Sequence, residues 1–78
     1  MIAEVSYDRF VDAKGEQCPV PILLAKRALC DMSTGDVLLV VCTDPAAPSD
    51  FTRLAAKRFC ELLGVTERDG IFEILVRR

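Results

Sequence analysis

A chain of 78 residues has room for one domain with one modest core. Apolar residues make up 51% and charged residues 28%, a balance that argues for a folded globule and against a disordered segment. A net charge of −2, one tyrosine and no tryptophan provide neither a basic stripe nor a set of stacking aromatics, so direct binding of nucleic acid is not expected, and no apolar run is long enough to span a membrane.

From Glu4 to Ala13, β-branched and aromatic residues predict a first strand, with Lys14-Gly15-Glu16-Gln17 as the turn out of it. Gly15 is placed to supply a backbone conformation that side chains resist. Cys18-Pro19-Val20-Pro21 follows. Proline is tolerated in the first turn of a helix, where the N–H groups have no intrahelical partner. Pro19 and Pro21 therefore set the start of a helix running from Pro19 to about Met32, with Cys18 at or near its N-cap. Ile22, Ala25, Leu29 and Met32 recur at helical spacing, while Lys26, Arg27 and Asp31 take other positions.

Gly35 marks the turn after this helix, and Val37–Cys42 is a continuous apolar run suited to a central strand covered on both faces. The link from Thr43 to Asp50 is rich in turn residues, and Ser49 or Asp50 is placed to cap a second helix. That helix is predicted from about Asp50 to Leu63, stopped by Gly64. Val65–Arg68 and Ile71–Arg77 flank Asp69-Gly70, a hairpin signal, with Phe72, Ile74 and Val76 facing one way. The order βαβαββ predicts an α+β fold in one domain, 1–78: a two-layer α/β sandwich with two helices packed on one face of a four-stranded mixed sheet.

The four cysteines contain no Cys-x-x-Cys pair and the chain has no histidine. A zinc site, a dithiol redox centre and a Cys-His nucleophile pair are all without support, and neither metal nor cofactor is expected. Cys30, Cys42 and Cys60 read as small apolar core residues. Cys18 differs: it follows the end of the first strand as Asp44 follows the second, and ligands gather at the carboxyl ends of parallel strands.

A thiol at the positive end of a helix dipole is pushed toward the thiolate, and prolines at positions 19 and 21 remove competing N–H donors. Cysteine is also a poor cap, so a role in capping alone would be odd. Lys26 lies eight residues further, about 12 Å along the helix axis, too far to pair with the sulfur and more suited to presenting charge to a partner. Asp44 reads first as a turn or capping residue, since a carboxylate beside a thiolate would raise the thiol pKa. A lone thiol with no evident substrate pocket suits a protein that accepts a group, carries it and hands it on.

Gly15-x-x-Cys18-Pro19-x-Pro21 with Lys26 beyond it, Gly35-Asp36 before a strand, Thr43-Asp44-Pro45 after it and Asp69-Gly70 near the end resemble the TusA/SirA-like sulfur-carrier family. The resemblance covers nearly the whole chain from about Phe10. It implies that Cys18 carries sulfane sulfur as a persulfide. The sulfur would come from a cysteine desulfurase or rhodanese-like donor and pass to a downstream acceptor protein. The pathways it implies are tRNA 2-thiouridine formation, molybdenum-cofactor synthesis and sulfur oxidation.

Such a protein is a sulfurtransferase-type carrier rather than an autonomous enzyme, and docking falls to Lys26, Arg27 and Asp44 around the Cys18 edge. The chain departs from the family at Phe51-Thr52, where many relatives have Ile-Pro, and at Phe59-Cys60, where many have Gly-His. Helix two is expected to be more regular as a result. Without a signal-peptide pattern the expected location is the cytoplasm, with no membrane partner. Two alternatives stand beside the carrier: a regulatory or adaptor module that binds through the Cys18 edge, and a related selenium or thiol-redox carrier.

Overall fold

In the computed structural model, which describes residues 6–78, the apolar run at the centre of the chain becomes the strand around which the sheet assembles. The elements are β1 (Arg9–Ala13), α1 (Val20–Cys30), β2 (Val37–Cys42), α2 (Ala47–Ala56), β3 (Glu61–Arg68) and β4 (Ile71–Arg77). Of the predicted first strand, Glu4 and Val5 lie outside the described residues. The sheet order is β1-β2-β4-β3, with β1 parallel to β2 and the other neighbours antiparallel. This is the expected α+β sandwich, with four mixed strands and both helices on one face.

Pairing explains the burial. Leu38, Val40 and Cys42 of β2 and Ile74 and Val76 of β4 point toward the helices, where they meet Ala25, Ala28, Leu29, Phe51 and Leu54. Phe51, the largest fully buried side chain, plugs the space under α2. Leu39, Val41 and Leu75 form a smaller buried cluster on the opposite face, where the uninterrupted run of β2 has to put its alternate residues. The hairpin turn is as predicted. Asp69 and Gly70 both have positive φ (53° and 79°), the mirror-image turn whose twist suits two antiparallel strands.

The predicted helix boundaries need correction. α1 is shorter than predicted, with Asp31 at its C-cap and Arg78 Nη1 donating to the Leu29 carbonyl at 2.8 Å. α2 begins three residues before Asp50 and has Ala46, not Ser49 or Asp50, at its N-cap; Pro48 sits in its first turn.

At its other end α2 stops at Ala56, with Arg58 in the left-handed region (φ 66°), so Gly64 does not stop it. Glu61, Leu62 and Leu63 are good helix formers, but they lie in the eight-residue strand β3, where Glu61 and Leu62 pair with Arg77 and Val76. Leaving β4 paired on one side only would expose a row of N–H and C=O groups, and the ladder overrides local helix preference. Gly64 sits at a register shift within β3.

Candidate functional site

The carboxyl ends of the parallel pair β1 and β2 bring Cys18 and Asp44 to one edge, as the topology requires. Two loops are tied together there. The Gly15 N–H donates to Thr43 Oγ1 at 2.9 Å, and the Cys18 N–H donates to Asp44 Oδ2 at 2.5 Å. The other oxygen of Asp44 accepts from the Ala46 N–H at 3.0 Å, so one carboxylate fixes the cysteine loop and the entry to α2. Gly15 has φ 84°, the conformation predicted for it.

Pro19 is the N-cap of α1, which puts Cys18 one residue outside the helix, and the Cys18–Pro19 peptide is cis. Pro21 is buried within the first turn. The Val20 N–H is taken by the Gln17 carbonyl at 2.8 Å, so the first turn offers the sulfur little.

Cys18 is exposed, and instead of standing on bare surface it borders a cleft of about 230 Å³ between α1 and α2. Ile22 and Lys26 line one wall, and Asp50, Arg53, Leu54 and Lys57 line the other. Asp50 is 9% exposed and ion-paired to Arg53. It lines the cleft together with Cys18.

The electrostatics correct the expected activation of the thiol. Its pKa is raised, first by the hydrogen bond to Asp50, then by desolvation, and then by the negative charges of Asp50 and Asp44; Arg53 acts in the opposite direction. Carboxylates beside the sulfur outweigh a helix terminus where Pro19 and Pro21 have no N–H and that of Val20 is engaged. The direction of this shift favours the thiol over the thiolate.

Lys26 shares the cleft without acting on the charge of the thiol. Its backbone is about two turns from Cys18, yet it lines the same cleft, because side chains on a helix lean toward the N-terminus. Its ammonium lies 4.7 Å from the centre of the Phe59 ring, itself 51% exposed. Arg27 is exposed and does not line the cleft.

Sequence reasoning missed Asp50, Arg53 and Lys57 as site residues. The available signal was an acidic residue near the start of a helix whose N-terminus shares the Cys18 edge. Cys42 and Cys60 are buried as expected, whereas Cys30 is exposed at the last turn of α1 and is not a core residue. Among the described residues no cluster of His, Cys, Asp or Glu could hold a metal ion. None of the helices among the described residues is long and apolar enough to cross a membrane.

Comparison with known proteins agrees with the geometry. The family model described as "Sulfurtransferase TusA" matches residues 9–78. A protein of Neisseria meningitidis serogroup A is 45% identical over 67 residues, covering 86% of this chain and 90% of its own length. The sulfur carrier protein TusA of Allochromatium vinosum is 42% identical over 72 residues, covering 92% of this chain and 95% of its own. The crystal structure of a SirA-like protein from Desulfitobacterium hafniense superposes with a TM-score of 0.79 at 25% identity, covering 90% of this chain and 96% of that one. The chain belongs to the TusA family of sulfur carriers.

Proposed function

We propose that Cys18 is the sulfur-bearing residue of this carrier, taking sulfane sulfur as a persulfide from a cysteine desulfurase or rhodanese-like donor and passing it to an acceptor protein. The reading rests on one observation above the others. Cys18 is the exposed thiol at the shared edge of β1, β2 and both helices, bordering the cleft between those helices. The transfer is thiolate attack on a donor's outer sulfur, the same kind of step as thiol–disulfide exchange.

Within this reading Lys26, held over Phe59 at the mouth of the cleft, and exposed Arg27 present positive charge to the donor or acceptor. Asp44 serves the site from within, through its hold on the Cys18 backbone. The acceptor belongs to tRNA 2-thiouridine formation, molybdenum-cofactor synthesis or sulfur oxidation, in the reducing cytoplasm.

Incubation with a desulfurase and cysteine, followed by intact mass measurement, tests it. One added sulfur that reductant removes and that Cys18→Ser abolishes is the expected result. The same adduct on Cys18→Ser, or none on the wild type, sinks the proposal.

A further inference from the structure

The cleft beside Cys18 contains more charge than an exposed thiol needs. Lys26 comes from α1, Asp50 and Arg53 come from α2, Lys57 follows α2 as its C-cap, and Asp44 lies behind the cysteine in the loop after β2. The two signs are arranged differently. Asp50 is buried and shares the cleft with the sulfur, and Asp44 is half-buried and bonded to the Cys18 N–H, whereas Arg53 and Lys57 are exposed and Lys26 is half-buried. Two of the cations are pinned, Arg53 by Asp50 and Lys26 by the Phe59 ring.

We propose that this cleft is the seat of the transferred sulfur, in which Lys26, Arg53 and Lys57 surround the outer sulfur of a Cys18 persulfide while Asp50 faces the inner sulfur and accepts a hydrogen bond from the unloaded thiol. The proposal rests on the reading of Cys18 as the carrier residue. In the transfer, Cys18 sulfur attacks the outer sulfur of the donor's Cys–S–SH. A new S–S bond forms at Cys18 and the donor's S–S bond breaks. Its electron pair leaves on the donor cysteine, which takes up the proton that Cys18 gives up. Thiol plus persulfide gives persulfide plus thiol, with no net oxidation.

A persulfide is more acidic than its parent thiol, so the new outer sulfur then loses its proton to water and becomes an anion. The same cleft thereby treats the two states in opposite ways. It keeps the empty carrier protonated and poorly reactive toward stray electrophiles, and it stabilises the loaded carrier as an anion among cations.

The test follows alkylation of Cys18 by iodoacetamide across pH, with peptide mapping, on the free thiol and on persulfide formed with inorganic polysulfide. Lys26→Gln/Lys57→Gln should move the persulfide midpoint to higher pH, slowing its alkylation severalfold near neutral pH, and leave the free-thiol midpoint nearly in place. Asp50→Asn should move the free-thiol midpoint to lower pH, and Asp50→Glu should restore it.

Arg53→Gln should raise both midpoints, which keeps the test decisive if Asp50→Asn does not fold. An unchanged persulfide midpoint in the folded double variant overturns the proposal. So does a free-thiol midpoint that fails to fall in folded Asp50→Asn, or to rise in Arg53→Gln. Chemical loading separates this from the carrier reading: failure to charge from a desulfurase defeats that reading alone.

Discussion

Asp44→Ala should damage both the stability of the fold and the placement of its sulfur, because one carboxylate joins the two loops that meet at the site. Its two oxygens accept the N–H groups of Cys18 at 2.5 Å and Ala46 at 3.0 Å. A hydrogen bond to a charged group contributes about 1.5–3 kcal/mol. Asp44 is only half-buried, so water replaces part of what is lost and about 1 kcal/mol per bond is the appropriate figure.

The sum, about 2 kcal/mol, corresponds to a fall in Tm of roughly 8–16 °C for a domain of this size. Asp44→Asn keeps an oxygen acceptor and should lose about half as much. Differential scanning calorimetry at neutral pH measures both. Loss of the Asp44 charge should also move Cys18 alkylation to lower pH, since that charge raises the thiol pKa. A Tm within about 2 °C of the wild type would refute the clamp.

Two further outcomes check the burial pattern. In the native protein a thiol reagent should reach Cys18 and Cys30 and modify Cys42 and Cys60 only after urea is added; native modification of Cys42 would contradict the packing of β2. Cys42 should also make stability depend on alkaline pH. Burial, with Asp44 adding to it, raises its thiol from 9.0 to about 11. The unfolded chain ionises first, so the contribution is whole below pH 9.0 and is lost as pH rises toward about 11. Urea unfolding across that window should show a steeper fall for wild type than for Cys42→Val, and parallel curves would count against it.

The order of elements was readable from local pattern because each signal acts over a few residues. The run Val37–Cys42 is too apolar for a surface strand, and Asp69-Gly70 adopts the positive φ angles of a tight hairpin. Pro19 and Pro21 mark the start of α1, where a missing N–H costs least. The boundary of α2 was not readable in this way. Glu61-Leu62-Leu63 continues a helical pattern in isolation and becomes a strand only because β4 offers a free edge to pair with.

The site divides along the same line. By itself, the sequence singled out the candidate atom: Cys18 before Pro19 and Pro21, in a chain with no histidine and no Cys-x-x-Cys pair to give it another role. Only the tertiary structure decided the state of that atom. Asp50 and Arg53 are more than thirty positions away along the chain, and their effect on the thiol depends on α2 packing beside α1, with Asp50 buried in the shared cleft and Arg53 exposed at it. The helix dipole, a property of local structure, favours the thiolate, whereas the carboxylates that the fold places against the sulfur favour the thiol, and at hydrogen-bond range the carboxylates prevail.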